Sequence, residues 1–125
     1  LSSSSAASDV YKRQDVTCPY KMVEHIPNMA HLAKNMVKQS IEAFHQHDLK
    51  KASEVKKLED DMDGLFEEVK VELIQIVNES KETIDLAINF LMIAKYFERI
   101  GDHAVNICEW VEFNQTGTVD NYRLI

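Results

Sequence analysis

Helix-breaking residues are scarce in this chain, and their scarcity restricts the folds that it can adopt. Its 125 residues include three glycines and two prolines. These two residue types interrupt regular structure more strongly than any others. Long stretches without them, in a chain that is 45% hydrophobic and 28% charged, are typical of long helices that are joined by short turns.

Apolar residues recur at helical spacing along three segments, which predict helices at about 20–47, 49–78 and 81–114. In the third segment the apolar positions alternate at spacings of four and three: Leu86, Phe90, Ile93, Phe97, Ile100, Ala104, Ile107 and Val111. The second segment carries a similar row: Val55, Leu58, Met62, Leu65, Val69, Leu73 and Ile76. The row of the first segment is less regular: Met29, Ala33, Met36, Ser40 and Ala43. Rows of this kind form the contact seams of antiparallel helical bundles.

Short polar segments separate the predicted helices. Asp48 or Ser53 is expected to cap the start of the second helix and Ser80 that of the third, while the segment 114–117, with Gly117, marks the end of the third. Turns of a few residues force consecutive helices to run antiparallel. The sequence therefore predicts an all-α, up-down-up three-helix bundle.

The beginning of the chain differs in character from the rest. Residues 4–14 read like the translation of a sequencing adapter, and a segment of that kind carries no information about the fold. We expect residues 1–14 to be a disordered, non-native scar. The bundle is expected to occupy residues 15–115, and residues 116–125 to form a C-terminal tail.

Composition excludes several classes of function. The formal net charge is −7, and it becomes −8 when residues 1–14, with Asp9, Lys12 and Arg13, are set aside. A charge of this sign argues against a nucleic-acid backbone or an anionic lipid surface as the main partner. Cys18 and Cys108 lack the spacing of a metal site and fit a reducing, cytoplasmic environment.

Acidic residues four positions apart form a ladder on each of the two longer predicted helices. Glu98 and Asp102 lie on one face of the third helix, where Asn106 extends the ladder by a turn. Glu59 and Asp63 repeat the spacing on the second helix. Measured from the apolar seam, the ladder of the third helix is expected about 140° away, on the outer surface.

Two such ladders on neighbouring helices can converge on one acidic groove. Like charges at this spacing repel each other by a few tenths of a kcal/mol, so a groove without a cation is mildly unfavourable. Hard oxygen ligands from two rigid helices suit Fe, Mn, Mg or Ca better than a soft metal. The sequence thus indicates a metal site at Glu59, Asp63, Glu98 and Asp102, with Asp60 and Asn106 as further candidates.

Less specific interpretations compete with this one. Acidic residues on a helix exterior are commonly a solvated face. Gly101, beside Asp102, allows a ligand shell to approach closely, but it equally allows a packing contact between helices. Glu42 and His45 match the Glu-x-x-His pattern of di-iron bundles, a design that needs two such motifs, of which the sequence has one.

Three sequence motifs stand out between about Ile26 and Val111. The first is Ile26-Pro27-x-Met29, at the start of the first predicted helix. The second is the acidic run Glu59-Asp60-Asp61-Met62-Asp63-Gly64-Leu65-Phe66. The third and strongest is Tyr96-Phe97-Glu98-Arg99-Ile100-Gly101-Asp102-His103-Ala104-x-Asn106-Ile107. Together the three motifs resemble the PhoU family of phosphate-uptake regulators.

The resemblance implies a specific architecture and cofactor. Members of the family are built from two tandem three-helix bundles, so this chain is expected to be one half, the C-terminal one. Each bundle carries paired Glu/Asp-x-x-x-Asp motifs that hold multinuclear iron or other metal clusters, such as Zn, Mn or Mg. Carried over to this chain, those pairs are Glu59 with Asp63 and Glu98 with Asp102.

The resemblance also implies a negative regulator of phosphate uptake and of phosphate-starvation signalling. Such a bacterial protein is a cytoplasmic adaptor between the phosphate ABC transporter and the sensor histidine kinase, and not an enzyme. It reaches the membrane only through its partners, and it is compatible with a homo-oligomer. Two alternatives stay open at this point: an interaction bundle without metal, and a di-metal carboxylate oxidoreductase.

Overall fold

The computed structural model describes residues 23–119 and 122–123, which form an antiparallel three-helix bundle. Helix α1 spans His25–Gln46, α2 spans Leu49–Glu79 and α3 spans Ile84–Thr116, with a 3-10 turn at Lys81–Thr83. After α3, the strands β1 (Thr118–Val119) and β2 (Tyr122–Arg123) pair antiparallel. The predicted all-α, up-down-up architecture is confirmed.

Helices α2 and α3 are the long members of the bundle. Their 31 and 33 residues correspond to about 46 and 50 Å at 1.5 Å per residue. Residues 1–14 and the predicted start of the first helix near residue 20 lie outside the described residues. Within residues 23–119 and 122–123, no helix has both the length and the apolar character that crossing a bilayer requires.

Local chemistry fixes most of the helix ends. Asp48 caps α2, because its Oδ1 accepts a hydrogen bond from the Lys51 amide at 3.0 Å. Gly117 ends α3 in the left-handed conformation (φ 72°) and donates its amide to the Phe113 carbonyl at 2.8 Å. Pro27 lies in the first turn of α1, where its missing amide hydrogen costs nothing.

The turn between α2 and α3 is built differently from the prediction. Ser80, the predicted cap of the third helix, makes no capping hydrogen bond with its side chain. Instead the Thr83 hydroxyl donates to the Ser80 carbonyl at 2.6 Å. The Ser80 amide donates to the Ile76 carbonyl and closes α2. The prediction of a Ser80 cap is therefore wrong, because one 3-10 turn separates Ser80 from α3.

The core is a set of rows in which buried residues recur every seventh position. Every residue of the stripe predicted for α1 is buried: Met29, Ala33, Met36, Ser40 and Ala43. The stripe predicted for α2 is also confirmed, with these buried members: Val55, Met62, Val69, Leu73 and Ile76. Leu58 and Leu65 of the same stripe are partly buried against the core.

The buried stripe of α3 is rotated from the predicted seam. Its buried residues are mostly small: Ala87, Ala94, Gly101, Ala104, Val105, Cys108 and Val111. Ile93 and Ile100, predicted at the centre of the seam, are 41% and 38% exposed. The reason is volume: methionines of α1 and α2 fill the centre of the bundle, so α3 packs there with its smallest side chains.

Polar contacts tie the helices to one another. Lys56 Nζ donates to Glu112 Oε2 at 2.9 Å between α2 and α3. The Gln115 side chain donates to the His47 carbonyl and joins α3 to the turn between α1 and α2. Near the start of α1, the His25 Nε2 atom lies 2.7 Å from Glu68 Oε2 on α2.

Candidate metal centre

The α2–α3 hairpin brings the two predicted acidic ladders to the same level of the bundle. Glu59 precedes Ser80 by as many residues as Asp102 follows Lys81. The same symmetry about the turn relates Asp63 to Glu98. In an antiparallel hairpin, residues equally far from the turn lie beside each other. Glu59 is therefore paired with Asp102, and Asp63 with Glu98; we call these four residues the acidic groove.

Electrostatic coupling between the four carboxylates matches this pairing. Partial burial raises the pKa of Glu59, and among the charges that raise it further the largest contribution comes from Asp102. Partial burial also raises the pKa of Asp63, and Glu98 is the largest of its charged contributors. The part of each shift that comes from neighbouring carboxylates reflects a negative potential, and this potential also favours other positive charges placed among them.

Glu98 lies deeper than the sequence predicted. Its side chain is 14% exposed, whereas the ladder of the third helix was expected on the outer surface, about 140° from the seam. The expectation holds for Asp102, which is exposed, and it is wrong for Glu98 because the core side of α3 is centred on Ala94 and Gly101. Glu98 is four residues from one and three from the other, about 40–60° at 100° per residue. Its carboxylate therefore lies at the edge of the core, toward α2.

Lys95 enters the acidic groove and was not identified from the sequence. Its Nζ donates to Glu98 Oε1, and its charge lowers the pKa of Asp63 on the facing helix. The same Nζ lies 5.3 Å from the centroid of the Phe66 ring. The signal that was overlooked is the spacing of three between Lys95 and Glu98, which places the two side chains together on one helix face.

The residues around the groove differ in their effect on its carboxylates. Asp60 is exposed, and its charge raises the pKa of both Glu59 and Asp63. Glu109, which the sequence analysis did not single out, also raises the pKa of Glu59. It follows Asp102 by seven residues, a spacing that returns to the same helix face. Asn106 is exposed on α3, one turn beyond Asp102.

Gly101 belongs to the core and not to the ligand shell. A Cβ atom at this position would lie 3.4 Å from the Met36 Sδ and Cε atoms and 3.6 Å from Met62 Cε. The glycine therefore faces α1 and α2 in the centre of the bundle. Of the two explanations that the sequence left open, the packing contact is the one that the structure supports.

Two other groups of potential ligands are engaged elsewhere. Glu42 Oε2 accepts a hydrogen bond from Lys51 Nζ at 2.9 Å, which lowers the pKa of Glu42, while His45 is exposed. Cys108 is fully buried in the core, and burial raises the pKa of its thiol to about 11. A thiol in this state is a small apolar side chain and not a metal ligand.

The acidic groove fits a hard cation by its donor chemistry, since four carboxylates from two helices supply oxygen ligands only. Among residues 23–119 and 122–123, no three His, Cys, Asp or Glu side chains converge closely enough to hold one ion. A cation in the groove therefore requires rotation of these side chains. In particular, Glu98 has to exchange Lys95 for the incoming ion.

Comparison with known proteins adds an independent observation. A family model described as the PhoU domain matches residues 26–111, which include the acidic groove. A protein of Clostridium acetobutylicum named phosphate-specific transport system accessory protein PhoU homolog is 39% identical over 98 residues, covering 78% of this chain and 45% of that protein. No solved structure matches the chain.

Two further relatives carry the same kind of name. The PhoU homolog of Zymomonas mobilis is 37% identical over 92 residues, 74% of this chain and 39% of that protein. PhoU homolog 1 of Methanothermobacter thermautotrophicus is 31% identical over 98 residues, 78% of this chain and 45% of that protein. The chain thus spans less than half the length of these relatives. Because the matched region runs from the first turn of α1 to the last turns of α3, the chain belongs to the PhoU domain family.

Proposed function

We propose that this chain is a regulatory accessory domain of a phosphate-specific transport system, and that it binds hard metal cations in its acidic groove. The observation that carries the metal-binding part is the pairing of Glu59 with Asp102 and of Asp63 with Glu98. These pairs hold like charges together on two rigid helices, and the pKa of a carboxylate in each is raised. A bound cation would remove this repulsion and cross-link α2 to α3.

The regulatory part is supported by family membership and by the names of the relatives. In this proposal the domain is a cytoplasmic, non-catalytic adaptor that restrains phosphate uptake and phosphate-starvation signalling. Its partners are the phosphate ABC transporter and the sensor histidine kinase. Its metal is iron, in a multinuclear cluster, or Zn, Mn or Mg. Asp60 and Asn106 flank the ligands.

The metal-binding part is tested by elemental mass spectrometry on protein that is purified without chelators or a nickel column. Variants Glu98→Gln and Asp102→Asn are compared with the matched control Asp61→Asn. Asp61 is exposed on α2, about 160° around the helix from Glu59 and Asp63. We expect stoichiometric metal in the parent and the control and loss of metal in the groove variants, with the helical circular-dichroism spectrum unchanged.

A folded parent protein without metal, or groove variants that keep the parent's metal, would overturn this part of the proposal. The regulatory part has its own readout, a phosphate-starvation reporter in a bacterium that lacks its own PhoU. Repression of the reporter by the parent, and less repression by Glu98→Gln than by Asp61→Asn, supports the proposal. An unrepressed reporter in cells that contain the folded parent protein contradicts it.

A further inference from the structure

We infer that the Lys95 ammonium group competes with metal cations for the acidic groove, and that an incoming ion needs more than one positive charge to displace it. This inference rests on the proposed function, because it concerns how the same groove selects its ligand. Lys95 is one turn from Glu98 on α3, and its ammonium group stands where a cation would contact Glu98.

Glu98 and Lys95 differ in how far each side chain is exposed to solvent. The Glu98 side chain is 14% exposed and the Lys95 side chain 56% exposed. The carboxylate is thus held at the edge of the core, while the ammonium reaches it from solvent along a flexible stem. The ammonium group can therefore return to solvent more easily than the Glu98 carboxylate can.

The charge of Lys95 reaches more than one member of the acidic groove. It lies close enough to Asp63 to lower the pKa of that carboxyl group. Glu98 first, and Asp102 more weakly, raise the pKa of Lys95 itself. One ammonium group therefore interacts with three of the four groove carboxylates, on both helices, as a bound cation would.

A second partner for the ammonium group lies beside the groove. Lys95 Nζ lies 5.3 Å from the centroid of the Phe66 ring, within the range of a cation–π contact. Lys70 Nζ lies 5.4 Å from the same centroid, but it pairs with Glu67 at 2.9 Å and not with the groove. When Glu98 turns to another cation, Lys95 can keep its contact with the ring.

This arrangement discriminates between ions by charge. A monovalent ion that replaces the ammonium group gains no more Coulomb energy than the protein gives up. A divalent or trivalent ion at the same place gains two or three times as much, because the interaction is proportional to charge. The lysine therefore weakens the binding of Na⁺ and K⁺ to the groove and leaves the groove open to multivalent metals.

The test is the affinity of the full chain for Mn²⁺ alone, measured by titration calorimetry and confirmed by the fraction of free Mn²⁺ in electron paramagnetic resonance. Lys95→Met is compared with Lys70→Met, which removes the same charge from the same aromatic ring. We expect Lys95→Met to bind Mn²⁺ about threefold more tightly than Lys70→Met, in line with the strength of an exposed ion pair. Lys95→Arg, which keeps the charge, should bind like the parent.

The outcomes separate this inference from the proposed function. Binding of Mn²⁺ by all variants, with Lys95→Met no tighter than Lys70→Met, overturns the competitor role and leaves the metal site in place. Weaker binding by Lys95→Met also overturns it, because Lys95 would then support the bound metal. Folded protein that binds no Mn²⁺ in any variant overturns both.

Discussion

Position 101 needs a small residue, but neither its backbone conformation nor its contacts require glycine. It lies in the middle of α3 and has helical backbone angles. Among the described residues, the glycine with a positive φ is Gly117 and not Gly101. The atoms that a Cβ would meet are the flexible ends of Met36 and Met62, at 3.4 to 3.6 Å. Such contacts are ordinary in a packed core, whereas a larger side chain would have to displace both methionines.

We therefore predict that Gly101→Ala raises the free energy of unfolding by about 0.5–1 kcal/mol, the difference between alanine and glycine in a helix. Gly64→Ala is the matched control, because nothing lies within 4 Å of its Cβ position. Gly101→Leu should lower stability by about 1–3 kcal/mol through overpacking. Urea denaturation of the three variants measures these effects; an alanine that destabilises at 101 but not at 64 would mean that the methionines cannot adjust.

The sequence allowed only part of this description of residue 101. A glycine inside a helical pattern indicated that something approaches the backbone closely. Whether that neighbour was a ligand or another helix depended on the direction of position 101 relative to the core, which is a property of the assembled bundle.

The start of α2 depends on a single side chain. The Asp48 carboxylate accepts a hydrogen bond from the Lys51 amide, one of the amides that have no partner within the helix. We predict that Asp48→Ala lowers the free energy of unfolding by about 1 kcal/mol, while Asp48→Asn, which can also cap, stays close to the parent. Chemical denaturation measures both, and equal losses in the two variants would show that the charge of Asp48 matters more than its capping.

Helix existence, order and most buried faces followed from the sequence, because they depend on local signals. The row of α2 was correct since most of its buried positions carry large apolar residues, and that of α1 was correct since it includes Met29 and Met36. The row of α3 was shifted because small residues such as Ala94 and Gly101 give a weak apolar signal. Gly101 packs against Met36 and Met62 on the facing helices, and no pattern within α3 reports on those.

At the scale of the whole molecule, the acidic groove makes stability depend on pH. The pKa of Glu59 is raised from an ordinary value of 4.5 and that of Asp63 from 3.8, so the folded state binds protons more tightly than the unfolded state. The resulting contribution to stability is present at low pH. It is lost as the pH rises through the raised pKa values.

In protein kept metal-free with a chelator, we predict that Asp63→Asn is more stable than the parent at pH 7 by a few tenths of a kcal/mol. The gain is small because the groove is screened by solvent. The difference should disappear as the pH falls well below about 3.8, where the unfolded carboxyl group also becomes protonated. Thermal unfolding at several pH values measures the difference, with Asp61→Asn as the control. A difference between Asp63→Asn and the parent that is independent of pH would contradict the prediction.

The membership of the acidic groove was predictable and its depth was not. Spacings of four on two predicted helices were enough to select Glu59, Asp63, Glu98 and Asp102. The burial of Glu98 depended on the rotation of α3, and so it was missed together with its contact to Lys95. Whether the groove holds metal stays a prediction.

The turn between α2 and α3 has a consequence for how this groove can vary. The two members of each carboxylate pair lie equally many residues from the bond between Ser80 and Lys81. The number of residues between the two helices therefore determines how the pairs align. One residue more or less, if α3 took up the change, would slide its acids by about 1.5 Å and swing them by about 100°. The number of residues in the turn is therefore as much a part of the groove as the carboxylates themselves.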